Sequence, residues 1–346
     1  MIPRTLTRFV KGIVNPVLDG SGIYDSWLKG LAERPHWTIL MYHRVIEDKS
    51  DDPFDMGMCV TRERFEAQIS YLANTAEIVP LGETLARLAS GSEPPRRRMV
   101  SITFDDGYRD NLTLAQPVME REGLRFTLFV ATGGIETGEA FWWDRVLLSF
   151  ARSTRSELVI DLPGRGPSRF SLAPLRRDQA VRALLDALWE HPDAGRLELI
   201  ADIEQQLGVD GRDLAPARLT ADDVVALARA GVEIGAHSVS HRNLSRLPAG
   251  EIASEMTASR ARLQALCDQP VAGFAYPAGF VSPAVTGAAR DAGFSYAVGT
   301  RSEINVHPLP VYELNRIGMP DVSTADFKRS WGTCARRLAA AAGSVA

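Results

Sequence analysis

Three observations predict an α/β protein built on a parallel sheet closed into a barrel. Seven short β-prone runs recur along the 346 residues, helical patterns separate most of them, and the composition is that of an ordinary globular chain, 45% apolar and 24% charged. That composition excludes disorder, collagen-like repeats and small disulfide scaffolds. The length exceeds one typical domain but fits a single barrel carrying an insertion.

The β-prone runs are 38–42 (TILMY), 100–104 (VSITF), 126–131 (FTLFVA), 232–236 (VEIGA), 273–276 (GFAY), 296–299 (YAVG) and 312–317 (YELNRI). Helical periodicity covers 61–72, 111–122, 221–230 and 248–266, with turn signals such as Glu122-Gly123 and Ala230-Gly231 closing helices. Strand–helix alternation calls for parallel strands, since each crossover returns the chain to the same end of the sheet. From residue 142 to about 219 the alternation stops, leaving a helical start, a Pro/Gly-rich piece (DLPGRGPSRF) and renewed helical periodicity. This predicts a mainly helical insertion, either shaping a cleft at the rim or packing as an appendage. The expected organisation is an amphipathic extension over 1–36, a barrel over 37–320 and a basic helix or tail over 321–346.

Lys and Arg total 39 against 43 Asp and Glu, a net charge of −4, so no basic excess marks a nucleic-acid partner. Cys59, Cys267 and Cys334 are odd in number and share no C-x-x-C spacing, which suits reduced core thiols rather than disulfides or a thiolate metal site. No apolar stretch approaches a membrane span, and residues 1–20 lack the apolar core of a secretory signal. The expected compartment is the cytoplasm. Ile2, Leu6, Phe9, Ile13 and Val17, interleaved with Arg4, Arg8 and Lys11, form an amphipathic basic pattern. It either packs on the domain or, with the Trp331-containing tail FKRSWGTCARRL, makes a peripheral contact at the inner face of the membrane.

The ionisable residues fall at the ends of separate strands. Asp105 and Asp106 follow VSITF, His237 follows VEIGA and His43 follows ILMY. In a parallel barrel these C-terminal ends share one face, where active sites are built. His237 and His241, four residues apart, would meet on one side of a helical turn, and Asp106 would add an oxygen ligand. Two His and one carboxylate leave an open position, the pattern of a catalytic rather than a structural cation site. Two adjacent carboxylates repel and resist burial, so an ion that holds one and leaves the other as a base accounts for both. A capping Asp-Asp-Gly turn with histidines in the core is the simpler alternative.

TFDDGY (103–108), HSVSH (237–241) and FAYPAG (274–279), in that order, closely resemble the first three motifs of the NodB-type polysaccharide deacetylases, carbohydrate esterase family four. The resemblance spans about 37–320 apart from much of the insertion. It implies a distorted (β/α)₇ barrel, a divalent metal held by Asp-His-His, and hydrolysis of an N-acetyl group from a sugar. Carried over, Asp105 is the general base, while Asp106, His237 and His241 hold the ion, zinc first, with cobalt or nickel as alternatives. A backbone N–H near Ala278 joins the metal in stabilising the oxyanion of the tetrahedral stage.

The family's late leucine–histidine motif, source of the acid, has no clear match after the third motif, and His307 before Pro308 is a poor candidate. Leu40-Met41-Tyr42-His43 is similar to that motif moved to the front, as in the circularly permuted biofilm poly-N-acetylglucosamine deacetylases, which gives the acid role to His43. A buried His43 satisfying a backbone group is the alternative. Ala275 stands where the third motif normally has the Arg that orients the base, leaving Arg44, Arg109 and Arg316 as candidates. Tyr108, Tyr276 and Ala278 are expected near the substrate. Trp143-Asp144 either offers a sugar-stacking face with a polar handle or anchors the insertion. The expected activity is N-deacetylation of an amino sugar in a surface polysaccharide or its lipid-linked precursor. Hydrolysis of another amide (cyclic imide, ureide or formamide) and glycan binding without catalysis are the rivals.

Overall fold

The computed structural model describes residues 36–90, 98–162, 164–191, 193–213 and 217–343. The amphipathic pattern at 1–20 lies outside the described residues. The described residues form two compact units, one from within 36–49, 57–133 and 221–343, the other from within 50–56 and 134–220.

The first unit is built on a mixed nine-stranded sheet. Its central strands are β1 (His36–Tyr42), β5 (Arg98–Phe104), β6 (Thr127–Val130), β9 (Glu233–Ala236), β10 (Gly273–Ala275) and β11 (Tyr296–Val298), neighbours in the order β11-β10-β9-β6-β5-β1 and all parallel. Three shorter strands complete it. β4 (Ala76–Ile78) runs parallel to β5, β12 (Asn305–Val306) antiparallel to β1, and β13 (Ile317–Gly318) parallel to β1. β2 (Arg44–Ile46) and β3 (Cys59–Thr61) form a separate parallel pair. From Met99 to Phe104 every β5 residue is buried, as expected of a strand covered on both faces.

A continuous seven-stranded ring is not what forms. The sheet curls, and between β11 and β1 the chain runs irregularly, making one isolated bridge at Val298–Leu314 before β13 pairs with β1 at Leu40–Ile317 and Met41–Gly318. The expected strand 312–317 is therefore mostly a loop. The backbone from Leu314 to Met319 serves both edges, Leu314 N donating to Ala297 O (3.1 Å) and Met319 N to Met41 O (2.9 Å).

Helices cover the sheet through apolar stripes. α1 (Arg62–Thr75) buries Phe65, Ile69 and Leu72, and α2 (Leu81–Ala89) buries Leu81. The expected helix 111–122 opens with a π turn, Asn111–Ala115, before α3 (Gln116–Arg121).

The second unit is not wholly helical. α4 (Trp142–Arg152) is followed by an antiparallel hairpin, β7 (Glu157–Leu162) and β8 (Gly166–Ser171), then by α5 (Arg177–Glu190) and α6 (Asp193–Leu207). Leu158, Ile160 and Leu162 alternate inward along β7, and Gly164 at φ 78° turns the chain where a side chain would be strained. Arg145 pairs bidentately with Glu204 (2.9 and 2.7 Å), and both side chains are buried.

α7 (Ala221–Arg229), α8 (Ala249–Cys267) and α9 (Pro283–Asp291) return to the first unit, which ends in α10 (Thr324–Gly343). The reading of the C-terminal segment as a membrane-surface tail finds no support in the packing of its aromatic residues. Phe327 and Trp331, one turn apart, are 1% and 0% exposed, and Trp331 Nε1 donates to Thr38 Oγ1 at 3.1 Å. The apolar face is spent on the sheet. Among the described residues no helix is long and apolar enough to cross a membrane. Cys59 and Cys334 are buried and Cys267 half-buried, all as free thiols. Trp331→Ala is expected to lower unfolding free energy by about 3–5 kcal/mol in urea denaturation, the range for emptying a buried aromatic site.

Candidate active site

The parallel register determines which residues meet. Tyr42 pairs with Phe104, and Val130 with Ala236, so the residues after these strands emerge at one edge. The ladder continues a step further there: Asp105 N donates to Tyr42 O (3.1 Å), Ala131 N to Asp106 O (3.2 Å) and His237 N to Val130 O (3.0 Å). Sheet hydrogen bonds thus anchor the backbone on which the ionisable side chains sit.

Asp106, His237 and His241 converge, each offering a ligand atom within 4.8 Å of the others. His237 Nε2 and His241 Nε2 lie 3.4 and 3.2 Å from Asp106 Oδ1. Tetrahedral bonds of about 2.0–2.2 Å put neighbouring donors roughly 3.3 Å apart, so the spacing matches three ligands around one small ion. The chemistry of the donors agrees. Asp106 is 1% exposed, yet neither carboxylate oxygen has a hydrogen-bond donor in regular geometry, a costly state without a cation. His237 Nδ1 lies 2.8 Å from Ala275 O, so the proton belongs on Nδ1 and the Nε2 lone pair faces Asp106.

Helical geometry is not what brings the imidazoles together. Residues 237–243 form a loop after β9, with Ser238 at φ 64° and His241 at φ 55°. Asp106 at φ 72° and Ala278 at φ 52° are left-handed too. Among the described residues, four of the six non-glycine positions with positive φ therefore lie in the three motifs, where backbone strain is held by its surroundings.

Asp105 points to a different partner. Arg316 Nη1 and Nη2 donate to its two carboxylate oxygens at 2.7 and 2.6 Å, and Arg316 is itself fully buried, fixed by Nε to Gly299 O (2.8 Å) and Nη1 to Thr103 Oγ1 (3.2 Å). Of the three candidate arginines, Arg316 is the one in contact with Asp105. Arg44 instead binds Asp110 (2.9 Å), and the exposed Arg109 reaches Asp223 (3.5 Å).

Burial alone would raise both carboxyl pKa values. At Asp105 the Arg316 charge, helped by His237 and His43, outweighs burial and holds the group below its ordinary range. At Asp106 the two ligand imidazoles, followed by His43, do the same more strongly. Burial lowers His241, whereas at His237 it is overcome by Asp105 and Asp106, which draw positive charge into the site. Two buried carboxylates facing one guanidinium leave a net negative pocket that suits a divalent ion.

His43 follows β1 in register beside Asp105, its carbonyl held by Asn111 Nδ2 at 2.8 Å. Asp110 flanks this segment, accepting from Val45 N at 3.3 Å, and burial pushes its carboxyl up to about 6 against the pull of Arg44. Asn111 and the Ala275 carbonyl were not singled out from sequence; neither carries a local signal beyond its place after a motif or at a strand end.

Four of the residues expected near a substrate, Tyr108, Tyr276, Trp143 and Asp144, are buried. Tyr108 is 1% exposed with the Arg44 guanidinium 5.0 Å above its ring, and Tyr276 is fully buried with its hydroxyl donated to Tyr312 O at 2.9 Å. Trp143, in the second unit, has its ring stacked on Phe141 (4.3 Å) and Trp189 (5.7 Å), so it anchors an aromatic cluster rather than offering a face to sugar. Asp144 is buried beside it on α4. Ala278, by contrast, is exposed at the end of the third motif.

A family model described as polysaccharide deacetylase matches residues 92–167 and 177–297, more than half of the chain. YxkH of Bacillus subtilis (strain 168), provisionally named a polysaccharide deacetylase, is 30% identical over 107 residues, which cover 31% of this chain and only 35% of that relative. Among solved structures, the Streptococcus pyogenes deacetylase PplD in complex with acetate superposes with a TM-score of 0.57 at 17% identity, covering 84% of this chain and 95% of PplD. IcaB from Ammonifex degensii gives 0.54 at 18% identity, covering 87% and 97%. At such identities these two structures speak for the fold.

Removing Arg316 should leave Asp105 buried and uncompensated. Arg316→Ala is expected to cost about 3–5 kcal/mol in chemical denaturation, and Asp105→Asn in the same chain to return much of it, because the amide needs no counter-charge.

Proposed function

The chain belongs to the polysaccharide deacetylase family, and from that premise we propose that it is a metal-dependent hydrolase that removes N-acetyl groups from an amino sugar in a surface polysaccharide or its precursor. The observation that carries this reading is the meeting of Asp106, His237 and His241 around one point, with a second carboxylate, Asp105, left outside the ligand set.

A divalent ion in that position, zinc by the preference of an Asp-His-His set, supplies Lewis acidity toward the acetamide carbonyl and lowers the pKa of a nearby water. Asp106, His237 and His241 hold it, and the Nδ1 contact to Ala275 O fixes the His237 ring. Asp105 takes the proton at a carboxylate oxygen as general base. Its two bonds to Arg316 fix the carboxylate plane and keep it ionised at neutral pH. The Ala278 N–H, at the exposed end of the third motif, is the backbone donor for charge that develops on the carbonyl oxygen. His43, beside Asp105 at the end of β1, gives a proton to the departing amine. Base and acid thus belong to neighbouring strands, β5 and β1.

Acetate release from N-acetylated oligosaccharides tests this assignment. Asp105→Asn and His43→Ala are each expected to retain Zn²⁺ by elemental analysis while kcat falls by about 10²–10⁴, the usual contribution of a positioned acid or base. His237→Ala, or wild type stripped with a chelator, is expected to lose metal and activity together, and Zn²⁺ is expected to restore only the stripped wild type. Undiminished acetate release by Asp105→Asn, or by the stripped protein, removes the mechanism.

A further inference from the structure

The loop that carries both imidazoles is held from outside by a carboxylate with no part in the chemistry above. Glu255, on α8, is 7% exposed and sits against Val239 and Ser240, the middle of the segment between His237 and His241. Its Oε2 accepts from Val239 N (2.8 Å) and Ser240 N (2.9 Å), and its Oε1 from Ser240 Oγ (2.6 Å) and Arg242 Nη2 (3.2 Å). The loop's carbonyls are tied on the other side, Ser238 O accepting from Thr132 N (3.1 Å) and Val239 O from Gly133 N (2.6 Å).

This density of bonds has a specific object. Ser238 and His241 are left-handed without being glycine, a strained conformation that persists only where its surroundings enforce it. Ser238 Oγ braces one end by accepting from His241 N at 3.0 Å. Without a fixed apex the loop would relax toward ordinary backbone angles and swing the two imidazoles apart.

We propose that Glu255 is a positioning residue that sets the cation affinity of the site by locking the His237–His241 loop in its ligating conformation. The proposal rests on the reading of Asp106, His237 and His241 as ligands. Helix packing alone does not require this carboxylate, because Ile252, Met256 and Leu263 already bury the apolar stripe of α8.

The test is a Zn²⁺ titration of the full-length protein against a chromophoric chelator, beside thermal unfolding of the ion-free protein and the visible spectrum of the Co²⁺-loaded form. Glu255→Ala is expected to weaken Zn²⁺ binding by about 10–100-fold and to alter the Co²⁺ bands, while Glu255→Gln, which keeps an oxygen for the two N–H donors, recovers most of the affinity. A lowered ion-free unfolding midpoint with unchanged Zn²⁺ affinity, the mark of a merely structural role, overturns the proposal. Should Glu255→Ala fail to fold, Ser240→Ala removes one donor to the carboxylate, and unchanged Zn²⁺ affinity there also overturns it. His237→Ala separates the two claims. Loss of tight binding in His237→Ala with wild-type affinity in Glu255→Ala sinks the clamp alone, whereas wild-type affinity in His237→Ala sinks the ligand assignment with it.

Discussion

Everything at this site follows from burying two adjacent carboxylates, Asp105 and Asp106, at one edge of the sheet. Each is buried, and each would be driven to its neutral form unless opposed by positive charge. The chain divides the task. Arg316 grips one with a planar pair of hydrogen bonds, and two imidazoles face the other without satisfying it. The asymmetry separates a carboxylate paired with a guanidinium from one whose neighbours are two imidazoles with the spacing of a candidate cation site.

The sheet makes this division possible at little local cost. Parallel strands present all their C-terminal ends at one edge, and the inter-strand bonds run on through Asp105, Ala131 and His237, so the site inherits the rigidity of the core. Strain concentrates at the site's edge, where Asp106, Ser238, His241 and Ala278 adopt left-handed angles. Preorganisation of this kind is bought with stability elsewhere, in continuously buried strands such as β5 and in the aromatic packing of Trp331 against the sheet.

Much of this was legible in the sequence because its signals are local. Six of the seven β-prone runs became central strands, since short apolar stretches bounded by turn residues have few other uses. The positions following them told which ionisable side chains would share an edge. What escaped reading has physical reasons. Strands β2, β3 and β4 are three residues long, too short to show any period. The hairpin of β7 and β8 was hidden by the Pro/Gly composition of its turn, although ELVIDL alternates cleanly. HSVSH read as a helical turn because four-residue spacing says nothing of φ, and only the loop bonds force the angles seen. Tyr108, Tyr276 and Trp143 looked available to a sugar because burial and stacking partners are set by tertiary contacts. The choice of Arg316 over Arg44 and Arg109 is likewise a fact of tertiary structure.

The bond between Arg316 and Asp105 joins residues 211 positions apart. During synthesis Asp105 therefore leaves the ribosome long before its counter-ion does. Until the final stretch emerges, the edge of the sheet around TFDDGY cannot close over its charge, and a nascent chain halted early must keep that strand end hydrated. A polypeptide ending before residue 316 lacks the guanidinium that pairs with the buried Asp105 carboxylate, whatever the quality of its earlier strands.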